Sequence, residues 1–539
     1  MHSLAITLKK TKRWFGFSDI PHTVLGCRTE SGEGMYASEH SSMDEFAGRT
    51  QEGIMAGLNI VFMASEASPL AKTGGLADVA GSLPHALQQI GHTVTVIMPF
   101  YRQHIAAAGI QTTALDMTIE MWADGVQRNC PLHEAVVDGL RFVLIEQDDI
   151  YDRKGIYGPA GGAYEDNLLR FLLFDRVALE AAARLGQSID ILHCHDWQTG
   201  MIPLLLQTQY QQHPEIAQAR TVYTIHNLAY QGVFGADWIH RLGMPSHHFH
   251  SEGFEFHHQI NCMKAGIASA HAITTVSPSY AEEILTDEYG CELQGFLSNH
   301  HHKLSGIVNG LNIEEWDPAT DSAIEVNFSA GDSAGKASCK AALQQECGLE
   351  VSTDTPLMVI ISRLADQKGI DLLLANVSIW MERGYQLVVL GSGDPHNEQA
   401  LHQLADSHPQ QMYFWRGFNE QLARRIYAGG DIFLMPSRFE PCGLGQLMAM
   451  RYGTVPVVRA TGGLRDTVLD YAEHHHEATG IHFTDAIPEA FDMAVEKAIS
   501  LYRNPDVWAN IRDNTLQRDS SWQASADAYV QLYQRLLAS

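Results

Sequence analysis

The chain is short of positive charge. Across 539 residues, 36 Lys and Arg stand against 63 Asp and Glu, a formal net charge of −27. No basic face is evident, which argues against nucleic acid or an anionic membrane surface as a partner. A neutral polymer, or a small anion held by a few placed cations, stays open. Cysteine is sparse as well. The eight residues include no CxxC pair, a pattern that fits a reducing compartment and argues against a disulfide framework or a zinc site. No apolar run approaches ~18 residues, so no transmembrane helix is expected. Several catalytic signatures are missing too: there is no GxxxxGKS/T loop, no GxSxG elbow, no HExxH, and no Asp-x-Asp pair at a strand end to hold Mg²⁺.

What is present is ample apolar content, 45%, enough for full-sized cores in a chain of this length, for which two to four domains are expected. Residues 1–57 differ from the rest. They begin basic, "MHSLAITLKKTKRWFGF", and turn polar and acidic, "RTESGEGMYASEHSSMDEF". A transit peptide is poor in acids, and only the first 15 residues meet that loosely. The expectation is a poorly ordered extension on a cytoplasmic protein. An organelle signal is the alternative, and Met35, Met43 and Met55 also allow a later start.

From Leu58 onward, short β-rich runs alternate with helical patterns. "LNIVFMASE", "HTVTVIMPF", "LRFVLIEQ", "IDILHCHDW", "RTVYTIHNL" and "AITTVSP" predict one set of strands. After a polar stretch, Asp317 to Thr355, that reads as a domain margin or surface excursion, "PLMVIISRL", "QLVVLGSG", "QMYFWRG", "DIFLMPS" and "TVPVVRA" predict a second. Continuous apolar runs of this length suit buried parallel strands, so the class is α/β with helices on both faces. The closing "SWQASADAYVQLYQRLLAS" reads as one amphipathic helix. Ligands of open parallel sheets sit at the carboxyl ends of strands, and polar residues recur there: Lys72, Asp196, His226 and Asn309 in the first unit, and Arg363, Gly391 and Glu440 in the second. That distribution points to a cleft between two domains.

Three motifs carry chemistry. "KTGGL" sets Lys72 beside Gly74 and Gly75 where a helix begins; bare glycines admit a close ligand, exposed N–H groups favour an anion, and Lys adds a point charge. The plainer reading is a tight turn with a solvated Lys. A second glycine pair, Gly462 and Gly463 after Thr461 in "ATGGLRDTV", repeats that arrangement. "SRLADQKG" places Arg363 and Lys368 on a strand-to-helix loop, where two cations can converge on one diphosphate, although surface ion pairing is the common fate of such residues. "SRFEPCGL" carries Glu440, which can meet sugar hydroxyls or serve a helix dipole. "GSGDPH" lacks the third glycine of a dinucleotide fingerprint and reads as a turn. The histidine runs at 300–302 and 474–476 read as solvated.

These stretches, together with "HDWQTG", "TIHNLAYQG", "TTVSPSYAEEI" and "GIVNGLNIEEWDP" in the same order, resemble the bacterial glycogen synthase and plant starch synthase family of retaining, ADP-glucose-dependent glucosyltransferases. The resemblance runs from about Leu58 to the C-terminus. It implies a GT-B fold: a Rossmann-like domain over 58–312, a second over 313–515 that binds the nucleotide sugar, an active site between them, and a C-terminal helix, 516–539, crossing back to the first. It implies that Lys72, Gly74 and Gly75 contact the diphosphate and glucose, that Arg363 and Lys368 hold the leaving phosphates, and that His226 lines the reacting carbon with Asp196 nearby. Asn309 and Glu440 are expected on glucose hydroxyls, and Thr461, Gly462 and Gly463 are expected to offer N–H groups to phosphate or glucose. No metal and no other cofactor is expected. The acceptor is expected to be glycogen or a linear α-1,4-glucan, extended at its non-reducing end. Where related retaining transferases carry a second glutamate, eight residues after the first, this chain has Met448. The leading alternative is a non-catalytic glucan-binding or initiation protein on the same scaffold; a phosphorylase would need pyridoxal phosphate, for which no mark is seen.

Overall fold

The apolar runs become strands buried on both faces, as a parallel sheet covered by helices requires. The computed structural model describes residues 57–159 and 162–539; the extension expected over 1–57 lies, Gly57 apart, outside them. The first sheet is built from β1 (Asn59–Met63), β2 (Thr93–Pro99), β3 (Thr113–Ala123), β4 (Val126–Val137), β5 (Leu140–Ile145), β6 (Ile191–His195) and β7 (Arg220–Ile225). A small antiparallel sheet of β8 (Val233–Gly235), β9 (Glu255–Phe256) and β10 (Gln259–Asn261) follows. The chain then returns to complete the first sheet with β11 (Ala272–Thr275) and β12 (Leu304–Gly306). Its order is β12-β11-β7-β6-β1-β2-β5-β4-β3, with every pairing parallel except β5–β4 and β4–β3. The β3–β4 hairpin was not among the expected strands. It alternates: Ile119 and Ala123 are buried while Glu120 and Trp122 between them are exposed. One face meets water, so no continuous apolar run marks it.

The second sheet is wholly parallel, with β13 (Leu357–Ile361), β14 (Gln386–Gly391), β15 (Met412–Arg416), β16 (Ile432–Met435), β17 (Val455–Arg459) and β18 (Ile481–Phe483) in the order β15-β14-β13-β16-β17-β18. The polar stretch 317–355 is more than a surface excursion. It contains the helix Ala334–Glu346, whose Lys336 is buried and donates to Tyr452 O and Thr454 Oγ1, each at 2.8 Å. Lys340 on the same helix pairs with Asp431 at 2.7 Å. Two cations sunk between helix and sheet make the segment read as polar although it packs.

Topology places the site. In the first sheet the strand order reverses beside β1, which has β2 on one side and β6 on the other; in the second it reverses beside β13, between β14 and β16. A crevice opens outside the carboxyl ends of strands at such a reversal. The residues that follow β1, β6, β13 and β16 are Ser65 to Lys72, Asp196, Arg363 and Ser437 to Glu440.

The C-terminal helix, Trp522–Ala538, follows a last helix of the second domain, Pro505–Gln517, and packs into the first domain's core through Trp522, Ala526, Tyr529 and Tyr533. Ser521 caps it, and Leu311 N donates to Ser520 O at 2.6 Å where the chain passes between domains.

Candidate active site

After β1 the chain turns through Ser65 and Glu66 into the loop that carries Lys72. Glu66 is 3% exposed. It accepts hydrogen bonds from the Thr73 N–H, from Thr73 Oγ1 at 2.8 Å and from Tyr157 Oη at 3.0 Å. Burial raises its carboxyl pKa against the pull of the Thr73 donors. A buried carboxylate thus clamps the loop that opens the helix Gly75–Gln89. Lys72 projects from that loop, half-exposed, and pairs with Asp78 at 2.6 Å. Burial raises the Asp78 pKa, opposed by Lys72. At Gly74 and Gly75 no atom lies within 4 Å of where a Cβ would stand, so the main chain there faces open space.

At the end of β6, Asp196 adopts φ +56°, a conformation uncommon for a residue with a side chain. Such strain persists where the surroundings over-determine it, and here the carboxylate accepts the His226 N–H at 2.8 Å. Burial pushes the Asp196 pKa up to about 7, partly offset by the His226 and Asn227 amides. His226 follows β7, and burial pulls its pKa down to about 3, so the ring is neutral. Asn309 is buried, and its Oδ1 meets no partner among the described residues. From the second sheet, Lys368 Nζ meets Glu440 Oε2 at 2.5 Å, and Ser437 Oγ donates to the same oxygen at 2.9 Å.

These side chains share one cleft of about 770 Å³. Lys72, Gly74, Gly75, Asp196, His226 and Asn309 line it from the first domain, and Arg363, Lys368 and Glu440 from the second. Thr461, Gly462 and Gly463 do not, and the expectation that they present N–H groups to the donor is corrected. Thr461 Oγ1 and Gly462 N both donate to Glu283 Oε1, at 2.9 and 2.8 Å, and Gly463 N donates to Glu440 O at 3.0 Å. A Cβ at Gly462 would collide with Glu440 O, and one at Gly463 with Cys442 O. This glycine pair is there for close backbone packing behind Glu440 and for docking the helix Pro278–Glu283 of the first domain.

The cleft also holds residues that sequence reasoning passed over: Glu66, Asp78, Tyr157, Gln367, Gly443 and Leu444. The N–H groups of Gly443 and Leu444 meet no protein acceptor among the described residues. Their signal was present in "EPCGL", a glycine-containing turn into the helix Gly445–Arg451. Glu66 had a weaker one, as a carboxylate directly after a buried strand.

The chain matches the family described as "Starch synthase catalytic domain" over residues 59–299 and "Glycosyl transferases group 1" over residues 348–515. It is 44% identical over 476 residues to glycogen synthase 2 of Geobacter sulfurreducens, covering 88% of this chain and 98% of that one. It is 45% identical over 484 residues to a glycogen synthase of Anaeromyxobacter dehalogenans, covering 89% and 99%. Among solved structures, the catalytic domain of starch synthase IV from Arabidopsis thaliana, bound to ADP and acarbose, superimposes with a TM-score of 0.83 at 34% identity, covering 90% of this chain and all of that one. Sucrose-phosphate synthase from Thermosynechococcus elongatus, at 17% identity and a TM-score of 0.54, shares the fold.

Proposed function

The chain belongs to the glycogen synthase and starch synthase family of glycosyltransferases, and from that premise we propose that it transfers glucose from ADP-glucose to the non-reducing end of an α-1,4-glucan with retention of configuration. The fold is GT-B, and the substrates are a nucleotide sugar and a glucan. The observation that carries the reading is the meeting of Lys72 from one domain with Arg363 and Lys368 from the other in one crevice, beside bare main-chain N–H groups. The ADP and acarbose bound by the starch synthase IV catalytic domain support a nucleotide and a saccharide as the ligands of this cleft.

ADP is a good leaving group, so the reaction needs little acid catalysis. It needs stabilisation of the negative charge that grows on the diphosphate as the sugar C1–O bond breaks, which preorganised cations and amides supply. Lys72, Arg363, Lys368, the Gly74–Gly75 main chain and the Gly443 and Leu444 amides are that set, and no metal or other cofactor enters the scheme. Glu440, held by Lys368 and Ser437, accepts from glucose hydroxyls, and Asn309 Oδ1 is a further acceptor without a protein partner. Neutral His226 lies by the reacting carbon without adding positive charge beside an oxocarbenium-like centre.

Retention through a double displacement would need a carboxylate nucleophile. The Asp196 carboxylate is engaged by the main chain of the His226 turn, so its role is to shape that turn. We therefore favour front-face attack by the acceptor 4-hydroxyl, its proton passing to the departing diphosphate. Along the second sheet's carboxyl edge the turn after β15 sits against β14, Gly417 N donating to Gly391 O at 3.0 Å, and Phe418 is 82% exposed, an aromatic face on which we propose that the adenine stacks. The setting proposed for the protein is the cytoplasm; among the described residues no helix is long and apolar enough to cross a membrane.

The test is transfer of labelled glucose to glycogen from ADP-glucose and from UDP-glucose in competition. Preferential incorporation from ADP-glucose is expected. Glucan binding with no transfer from either donor would replace this reading with the non-catalytic one.

A further inference from the structure

The buried histidines behind His226 do more than fill space. His193 and His195 point to the same face of β6 and are both fully buried. Their rings stack at 4.3 Å with 27° between planes, and Phe62 of β1 packs on both, at 4.6 and 5.2 Å. His193 is pinned at each nitrogen, Nδ1 to Tyr533 Oη at 2.8 Å and Nε2 to Thr224 Oγ1 at 2.6 Å. His195 is held in its plane by this stack and cannot turn to seek other partners. Its Nδ1 lies 3.0 Å from His226 Nε2. Among the described residues its own Nε2 is buried with no partner.

We infer that His195 fixes the tautomer of His226, donating from its Nδ1 to His226 Nε2 so that His226 offers an N–H at Nδ1 to the sugar. Only two arrangements of neutral rings complete the 3.0 Å contact. If His226 Nε2 were the donor, the His195 proton would sit on Nε2, a buried N–H with no acceptor, the kind of orphan that folded proteins most consistently avoid. If His195 Nδ1 is the donor, the same site holds only a lone pair among packed side chains, the milder of the two defects. Burial keeps both rings neutral. The ionisable groups around the pair are His193, Asp196, which takes the His226 peptide N–H, and Glu66 beyond it.

The consequence falls in the cleft. His226 lines it, and among the described residues Nδ1 is the ring nitrogen left without a hydrogen bond. In the tautomer set by His195, Nδ1–H donates to a glucose oxygen. In the other, a bare Nδ1 would instead accept a hydrogen bond from a hydroxyl and orient the sugar differently. His195 is thus a positioning residue, and Tyr533 brings the C-terminal helix into the same buried chain. The inference deepens the proposed function and rests on it for the identity of the sugar.

Its test has two arms. In the full-length protein labelled with ¹⁵N-histidine, the His226 resonances are picked out among the 28 histidines by comparison with His226→Asn. The pattern expected from about pH 6 to 8 is that of an Nδ1–H, Nε2-bare ring; an Nε2–H pattern overturns the inference, whatever the enzyme's activity. In the kinetic arm, His195→Phe keeps the stack and removes the donor. It should lower kcat about tenfold or more while the KM for ADP-glucose stays within about threefold. His195→Asn, whose amide can donate from near the Nδ1 position, should recover most of that loss. Undiminished kcat in His195→Phe, or no recovery in a His195→Asn protein that still binds ADP, refutes it. Should wild-type protein transfer no glucose at all, the proposed function fails, and the nuclear resonance arm still decides the tautomer.

Discussion

Glu440 and Lys368 hold each other at 2.5 Å inside the cleft, and Ser437 is the other donor to the same carboxylate oxygen. Lys368→Ala removes a diphosphate cation and leaves Glu440 with one hydroxyl partner; kcat/KM for the donor should fall by about 10²–10³-fold. Arg363→Lys should not restore activity wherever a planar, two-pronged contact to phosphate is needed. Glu440→Gln should depress kcat more than it raises KM in steady-state assays, and the opposite pattern would make it a ground-state contact. Asp196 makes a prediction about pH. Burial raises its pKa to about 7 from the ordinary carboxyl range, so folding favours the protonated form. The stability this group contributes is complete below about pH 4 and is lost as pH climbs through about 7. Asp196→Asn has no proton to lose. The melting temperature of the variant minus that of wild type should become more positive between about pH 5 and pH 8, and a flat difference would show that the carboxyl is not held in this way.

At the scale of elements, the two Thr-Gly-Gly-Leu segments each open a helix, the first from an extended Gly74 and the second from Thr461, and have opposite uses. The first opens its helix onto the cleft; the second is turned toward the protein, its donors taken by Glu283 and by the Glu440 carbonyl. Gly462 has φ +44°, and a Cβ there would strike Glu440 O. Gly462→Ala should therefore displace the loop that carries Glu440 and lower kcat at least about tenfold, although the residue touches no substrate; a wild-type kcat would show that the loop relaxes without consequence. The C-terminal helix is tied to the first domain by Tyr533 on His193. Tyr533→Phe leaves a buried ring nitrogen unpaired, and the expected loss is about 1–3 kcal/mol, read as a lower urea midpoint. An unchanged midpoint would mean that the hydroxyl contributes nothing net.

For the molecule as a whole, the two domains are pinned along a seam and face each other across the cleft. Ser277 Oγ donates to Pro441 O at 2.6 Å, Ser279 N and Oγ donate to Asp466 at 2.8 and 2.6 Å, and Glu283 takes the Thr461 and Gly462 donors. A seam of short polar contacts beside a cleft lined by cations of both domains suits hinged closure on an anionic donor. Small-angle scattering should show a smaller radius of gyration when ADP is added, and identical curves would contradict closure. The same seam explains the use of the second glycine pair: what looked like an anion site is the bearing on which one domain meets the other.

Nine of the twelve expected site residues line the one cleft. The residues alone predicted six strands of the first sheet and five of the second, because continuous apolar runs have few other solutions, but not the three-residue edge strands β12 and β18. They did not reveal the half-solvated β3–β4 hairpin or the helix whose two lysines are buried, since in each the pattern that meets water or neutralises charge hides the packing. Nor could spacing tell which Thr-Gly-Gly-Leu segment faces the ligand, that Glu66 clamps the Lys72 loop, or that Tyr533 reaches the histidines behind His226. Sequence periodicity sets the conformation of a segment and which residues share a side. The direction that side faces is settled only when distant segments pack together, and at this site those segments come from opposite ends of the chain.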